Sequence, residues 1–190
     1  MPQLPPPPSK RRTASRLAKL DCFYNELKEN PRLNEITTTN PTFSEREICL
    51  HVQAILDDCV QTLFRPRVLR DVTWSQTANS RPMPRVEAGG HSYYPDHIVL
   101  KNDFSIAIEV KRYTGQSSIL QQVIGQSMIY SQRYGFVLAF IADVTKDGCL
   151  AQQIHREEQA INDEFLHSEL WWYHNTAIVC RHVKERFTER

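Results

Sequence analysis

The chain has 190 residues, enough for one domain with a sizeable core, and its apolar content of 41% is ordinary for a soluble protein. No stretch approaches the ~18 consecutive apolar residues of a membrane helix, and the N-terminus lacks the apolar region of a secretory signal. We therefore expect a soluble, intracellular protein with no membrane partner. The net charge of +1 excludes a chain that is basic throughout, so contacts with nucleic acid require local patches.

The cysteines and histidines do not form a recognisable metal-binding pattern. The five cysteines are scattered and show no C-x-x-C spacing, and the histidines show no H-x-x-x-H or H-E-x-x-H arrangement. These spacings predict reduced, mostly buried thiols and argue against a zinc enzyme.

The first 20 residues are predicted to be a disordered, Pro-rich and basic tail ahead of a single domain over 21–190. Four consecutive prolines, Pro5 to Pro8, favour an extended conformation, and a basic run with few apolar residues follows. A solvated tail, a nucleic-acid-binding arm and a nuclear localisation signal are all compatible with this composition.

The first strong helix signal lies over residues 45–63. Ser44 is a helix N-cap with Glu47 as its capping-box partner, and Phe43 and Ile48 occupy the positions of a hydrophobic staple. Apolar residues then recur at helical spacing as far as Leu63. A short helix over 21–30 precedes it and is expected to stop before Pro31.

The remaining pattern predicts alternating strands and helices. We expect strands over 68–74, 94–100, 104–112, 136–142 and 172–179, helices over 118–134 and 150–166, and a long connection over 75–90. The order is α-β-β-β-α-β followed by α-β. This order indicates the α/β class, with a mixed central sheet flanked by helices and an added C-terminal helix and strand.

Two acids are brought together by the predicted hairpin. If Asn102-Asp103 is a two-residue turn, Lys101 pairs with Phe104 and Asp96 lies directly opposite Glu109. Opposed side chains in such a pair stand about 4.5–5.5 Å apart at Cβ. Two carboxylates this close repel each other unless a cation or a proton compensates, and their oxygens suit Mg²⁺ or Mn²⁺.

A lysine and a third acid complete the candidate site. Alternation along the second strand places Lys111 on the same face as Glu109, where it can orient a water and stabilise negative charge. Glu45 heads the core-facing stripe of the 45–63 helix, so we expect it to be the third ligand, whereas Glu47 serves as the cap. His97 should point away from the site and be structural.

These residues resemble the PD-(D/E)XK nuclease superfamily, whose core has the same α-β-β-β-α-β order. Pro95-Asp96 and, after twelve residues, Glu109-Val110-Lys111 match its motif. The stretch from Ser44 to Ile48 is similar to the helix entry of Holliday-junction resolvases. The resemblance covers about 43–142 and implies a restriction endonuclease-like fold and Mg²⁺-dependent hydrolysis of nucleic-acid phosphodiesters. Asp96 and Glu109 would be ligands, and Lys111 a base or charge stabiliser.

The helix after the site carries a second, shorter resemblance. Gln122, Gln126 and Tyr130 fall on one face, and Gln126-x-x-x-Tyr130 is similar to an element of RecB-like nucleases. We expect these residues, together with Arg112 beside Lys111, to contact nucleic acid; an ordinary polar helix face is the alternative. Tyr93 and Tyr94 fit packing better than base stacking, and the same holds for the aromatic run 171–173.

The sequence thus predicts a metal-dependent deoxyribonuclease, with DNA as partner and Mg²⁺ or Mn²⁺ as cofactor. A catalytically silent nucleic-acid binder and a structural subunit of a nucleic-acid-processing assembly are the alternatives. Endonucleases that cut both strands often act as dimers, so a homodimer is compatible with this function, although the sequence identifies no dimer face. Endo- or exonuclease mode is not encoded in these motifs.

Overall fold

The computed structural model of the chain describes residues 10–34, 37–38, 44–69, 72–76, 83–101, 104–159, 170 and 175–185. The helices bounded within these residues are α1 (Lys10–Glu29), α2 (Pro31–Asn34), α3 (Glu45–Phe64), α4 (Ser118–Tyr130) and α5 (Cys149–Gln159). None of these described helices is long and apolar enough to cross a membrane.

The strands of the described residues form one large sheet and two small ones. They are β1 (Thr37–Thr38), β2 (Thr73–Ser75), β3 (Val86–Ala88), β4 (His91–Tyr93), β5 (His97–Lys101), β6 (Phe104–Tyr113), β7 (Phe136–Asp143), β8 (Thr176–His182) and β9 (Lys184–Glu185). The large sheet has the order β2-β5-β6-β7-β8. Its β2, β5 and β6 are antiparallel neighbours, whereas β6, β7 and β8 run parallel. The protein is therefore of the α/β class, with a mixed five-stranded sheet.

Helices cover both faces of this sheet. On one side, α1 and α3 pack against alternate residues of β6, which are Ile106, Ile108 and Val110. On the other side, α4 and α5 cover the intervening positions of β6 and β7, among them Ala107 and Ile141. Burial on both faces explains why β7 is apolar along its length instead of alternating.

An aromatic cluster ties the first helix to one end of the sheet. The ring of Phe104, the first residue of β6, lies 5.7 Å from the ring of Phe23, 5.1 Å from that of Phe64 and 6.1 Å from that of Phe136. The four rings come from α1, α3, β6 and β7. Such tilted aromatic pairs add about 0.5–1.5 kcal/mol each beyond the area they bury.

The N-terminal region differs from the prediction. Helix α1 begins at Lys10, so residues 10–20, predicted to be disordered, are helical, while 1–9 lie outside the described residues. The physical reason is that the helix predicted over 21–30, whose stripe of Leu20, Phe23 and Leu27 is buried in the core, continues backwards without interruption to Lys10. The high charge of residues 10–19 concealed this extension.

The segment between α3 and β5 also differs from the prediction. Strand β2 covers only Thr73–Ser75 instead of 68–74, because Val68 is exposed and the Leu69 carbonyl accepts the Val72 N–H in a turn. The predicted connection over 75–90 contains the start of a hairpin, β3–β4. Gly89 and Gly90 have φ of 58° and 77° and form its two-residue turn, a conformation that glycine adopts without strain.

Other boundaries shift by a few residues. Strand β5 begins at His97 and not at Tyr94, since Pro95 has no N–H for the ladder. Helix α4 ends at Tyr130, four residues early, and continues as turns. Strand β8 starts at Thr176, after Asn175 with a φ of 48°. The predicted end of α5 over 160–166 and the residues 171–174 lie outside the described residues.

Candidate active site

Strand β6 positions two of the candidate residues on one face. Glu109 and Lys111 alternate with Ile108 and Val110, which pack towards α1 and α3, so both charged side chains point to the opposite side of the sheet. The side chain of Glu109 is almost completely buried, and that of Lys111 is only 13% exposed. This strand therefore carries an acid and a base into a place with little access to water.

The hairpin register agrees with the prediction. Lys101 pairs with Phe104, and His97 pairs with Ile108. The turn residues 102 and 103 themselves lie outside the described residues. One step beyond the last pair, the same register brings Asp96 opposite Glu109.

Asp96 is attached to β6 by its side chain. Its Oδ2 accepts a hydrogen bond from the Val110 N–H at 2.8 Å. The chain before it is held by Gln76, whose side-chain amide donates to the carbonyls of Tyr94 and Pro95 at 2.8 and 2.9 Å. The Val110 N–H therefore holds the carboxylate against β6, and Gln76 holds the backbone that leads to it.

The two acids are difficult to ionise together. Burial and then the negative charge of Glu109 raise the pKa of Asp96 to about 7, although the Val110 N–H and Lys111 oppose this shift. Burial also raises the pKa of Glu109, against the lowering effects of Lys111 and of the Tyr130 hydroxyl. At neutral pH the pair therefore attracts positive charge.

Lys111 supplies part of this positive charge. Its Nζ lies 2.6 Å from Glu109 Oε1 and 3.6 Å from Glu45 Oε1. Burial opposes the charged form of the ammonium, but the surrounding carboxylates, with Glu109 the strongest, outweigh burial and raise the pKa of Lys111. Lys111 is therefore a cation in this arrangement.

Glu45 and Glu47 take separate places at the start of α3. The capping box is formed as predicted: the Glu47 N–H donates to Ser44 Oγ at 3.3 Å, and the Ser44 N–H donates to Glu47 Oε2 at 2.7 Å. Glu45 points towards Lys111 but remains 47% exposed. Phe43, the predicted staple residue, lies outside the described residues.

Tyr130 has a different environment from the one predicted. Its side chain is fully buried, and its hydroxyl donates to Glu109 Oε2 at 3.1 Å. A side chain without accessible surface does not contact nucleic acid in this conformation, so the burial of Tyr130 does not support the predicted contact. The hydroxyl instead orients Glu109.

The other residues predicted to contact nucleic acid lie on two elements, α4 and β6. Gln122 is exposed on α4, and Gln126 is partly buried, with no hydrogen-bond partner for its Oε1 among the described residues. Arg112 alternates with Lys111 along β6 and so lies on the side of α1 and α3, away from the carboxylates. It is partly buried, and its position does not support the predicted role beside Lys111.

Sequence reasoning missed one neighbour of the site. Cys49 lies one helical turn after Glu45 and is buried; burial, followed by the charges of Asp96 and Glu45, raises its pKa to about 12. The i, i+4 spacing from Glu45 was the available signal. His97 lies on the face opposite Glu109, as predicted, and its Nδ1 is 3.0 Å from Gln53 Oε1.

Asp96 and Glu109 offer oxygen donors of the kind that hard divalent cations prefer. Glu109 and Asp96 present carboxylate oxygens, each with a second lone pair beyond the hydrogen bonds described above, and Mg²⁺ is commonly held by one or two carboxylates together with water. Within the described residues, no group of three or more His, Cys, Asp or Glu side chains is arranged to hold a metal ion. Glu45 is accordingly a neighbour of Lys111 in this geometry, and the candidate ligands are the pair Asp96 and Glu109.

In comparisons with protein-family models, with curated proteins and with solved structures, nothing matches this chain.

Proposed function

We propose that this protein is a metal-dependent nuclease that hydrolyses phosphodiester bonds of DNA, with a restriction endonuclease-like core of the PD-(D/E)XK type. The observation that carries the proposal is the juxtaposition of Asp96 and Glu109 at the end of the β5–β6 hairpin, with the Lys111 ammonium 2.6 Å from Glu109. The motif alone is short and could occur by chance. The proposal is supported because its three side chains lie together at one end of the hairpin.

The proposed roles follow from charge and position. Asp96 and Glu109 would hold Mg²⁺ or Mn²⁺, which when bound polarises a phosphodiester and lowers the pKa of water. Lys111, as a cation, donates a hydrogen bond to the phosphate and stabilises the negative charge that grows on it as water attacks phosphorus. Its raised pKa favours this role over that of general base. The bond from phosphorus to the leaving oxygen breaks, and that oxygen takes up a proton.

Two further residues support this arrangement. The Tyr130 hydroxyl fixes the orientation of Glu109, and Glu45 shares the Lys111 ammonium at 3.6 Å. Glu45 thereby limits how strongly Lys111 is bound to Glu109. A carboxylate held between two donors keeps its orientation when substrate enters, which is the benefit of preorganisation.

A catalytically silent nucleic-acid binder is the second candidate, and one observation favours it. Lys111 already forms a close ion pair with Glu109, and the described residues offer a two-acid set instead of a three-acid one. In such a protein Lys111 would serve as the permanent counterion of Glu109. Such a protein would bind DNA but would not cleave it when metal is added.

Cleavage assays separate the candidates. Purified protein with Mg²⁺ or Mn²⁺ is expected to nick or degrade at least one member of a panel of linear, circular, single-stranded and branched DNA, with RNA of matched sequence for comparison. Asp96→Asn and Lys111→Ala should each abolish the activity. Asp57→Asn is the matched control, because Asp57 is a half-buried acid whose pKa is also raised by burial but which bonds to Gln53 and Thr73 outside the site. Cleavage that survives in both site variants would overturn the assignment.

A further inference from the structure

A basic cavity of about 420 Å³ lies at the edge of the sheet formed by β8. The side chains that give it its character are Lys28 from α1, Gln152 and His155 from α5, and Arg181 and His182 from the end of β8. The cavity is therefore built from three separate elements that the fold brings together.

The formally charged side chains among the described residues that line this cavity are both basic. Lys28 and Arg181 carry positive charge, and the two histidines add ring nitrogens that can form hydrogen bonds. No carboxylate is among the described residues that line it. Two basic side chains brought together in one concavity attract an anion.

The walls of the cavity are held in place. His182 Nε2 lies 3.0 Å from the Thr145 carbonyl, and since a carbonyl only accepts, Nε2 carries the proton. A Cβ added at Gly148 would lie 2.5 Å from the His182 ring, so glycine is required for this ring to sit where it does. Arg181 Nη1 donates to the Cys180 carbonyl at 2.9 Å, which fixes its guanidinium beside the strand.

The strand register gives the separation from the candidate active site. Lys111 pairs with Ile141, and Ile141 pairs with Cys180, which lines the cavity. With neighbouring strands about 4.8 Å apart, the Cα atoms of Lys111 and Cys180 are about 10 Å apart. This separation is short enough for neighbouring phosphates of one nucleic-acid strand to reach both places.

We propose that this cavity binds a backbone phosphate of the same nucleic-acid strand whose scissile bond lies at Asp96, Glu109 and Lys111. The inference rests on the proposed function and adds to it a positioning contact. Both places lie towards the carboxyl ends of β6 and β8, so one strand can pass along this end of the sheet. Phosphate contacts of this kind fix register and carry no base specificity.

Binding in the absence of metal tests the cavity without cleavage. Fluorescence anisotropy of a labelled duplex, titrated with salt and EDTA present, should show about tenfold weaker binding for Lys28→Gln combined with Arg181→Gln. The plot of the logarithm of the binding constant against the logarithm of the salt concentration should become shallower, by about one unit of slope for each phosphate contact that is lost. This change should be the same for every DNA sequence.

A second basic concavity supplies the matched control. It lies at the carboxyl end of β5, whereas Asp96 lies at the amino end, and it is lined by Arg65, Arg67 and Lys101. Arg67→Gln combined with Lys101→Gln removes the same charge as the test pair, and we expect it to leave most of the affinity intact. An equal loss of affinity in both double variants would indicate general charge attraction and would overturn the proposal.

Substitutions at His155 test the cavity without disturbing the fold, because this side chain is exposed. His155→Glu should weaken binding and His155→Lys should strengthen it, since either side chain is accommodated on the surface of α5. Unchanged binding in both contradicts the cavity proposal even if the protein cleaves DNA. A protein that binds DNA through the cavity but cleaves no DNA form overturns only the proposed nuclease function.

Discussion

The carboxylate of Asp96 accepts a hydrogen bond from the backbone N–H of Val110 at 2.8 Å. Since Val110 directly follows Glu109, this bond attaches the first acid to the strand that carries the second. The backbone pairing of β5 with β6 ends at His97. Beyond it, the Asp96 side chain accepts the hydrogen bond of the β6 backbone. The closeness of the two acids is therefore a property of the backbone, and it exists before any cation binds.

Stabilisation of the fold by Mg²⁺ should depend on pH. The pKa of Asp96 is raised to about 7, by burial and by Glu109, so a cation must displace a proton from the pair below that pH. We expect Mg²⁺ to raise the melting temperature more at about pH 8 than at about pH 5.5, and Asp96→Asn to remove most of this gain. Equal gains at the two pH values in the unmodified protein would contradict the assignment of Asp96 as a ligand.

Asp96 and His97 should act on metal-free stability in opposite directions. Burial lowers the pKa of His97 from its ordinary value of 6.5 to about 4. The stabilisation that neutral His97 gives the fold is therefore complete above pH 6.5 and is lost as the pH falls towards 4. The raised pKa of Asp96 gives a contribution that is present below 3.8 and is lost as the pH rises towards 7. Between these limits the two contributions partly cancel.

Urea denaturation at stepped pH tests this cancellation. Compared with the unmodified protein, His97→Asn should show a free energy of unfolding that falls more as the pH rises from about 4 to about 6.5, and Asp96→Asn one that falls less. A single proton corresponds to at most about 1.4 kcal/mol per pH unit. His51→Asn, at an exposed position on α3, is the control and should keep the pH dependence of the unmodified protein. If His97→Asn also keeps that dependence, the buried neutral imidazole of His97 does not oppose the effect of Asp96.

The Tyr130 hydroxyl should stabilise Glu109 mainly in its ionised form. Tyr130→Phe keeps the buried ring but removes the donor 3.1 Å from Glu109 Oε2, and we expect it to lower the free energy of unfolding by about 1–2 kcal/mol at about pH 8 and by less in acid. Tyr134→Phe removes a donor to the Pro84 carbonyl at 3.2 Å and should have the same effect at every pH. Two variants with identical pH dependence would show that the Tyr130 hydroxyl does not act on ionised Glu109.

Glu45 should influence cleavage without being essential. It is half exposed and lies 3.6 Å from Lys111, so Glu45→Gln is expected to lower the initial cleavage rate by about 10- to 100-fold, in the range of residues that orient a metal site. Glu47→Gln preserves the capping box and should cleave at nearly the unmodified rate. Unaltered cleavage by Glu45→Gln would remove Glu45 from the site.

The parts of the site that were predictable depend on neighbours in the sequence. The pairing of Lys101 with Phe104 and the alternation that places Glu109 and Lys111 together follow from a short turn and a period of two, and the structure confirms both. The capping box of Ser44 and Glu47 is equally local. These features need no knowledge of how distant elements pack.

Other features depend on packing between elements that are distant in the sequence. The burial of Tyr130 against Glu109 requires the position of α4 over β6, which no local pattern fixes. Helix α1 has a buried stripe whose partner, Phe104, is far away along the chain. In contrast, the direction of Arg112 followed from the same alternation used for Lys111, and the Gly89-Gly90 turn was visible in the sequence.

The aromatic cluster around Phe104 has a consequence for synthesis of the protein on the ribosome. Phe23 emerges first, but its partner Phe104 and the next ring of the cluster, Phe136, follow roughly a hundred residues later, which takes on the order of ten seconds at ordinary elongation rates. During that interval the apolar stripe of α1 has no sheet to cover it. The N-terminal helix can therefore complete its packing only after β6 and β7 have been synthesised.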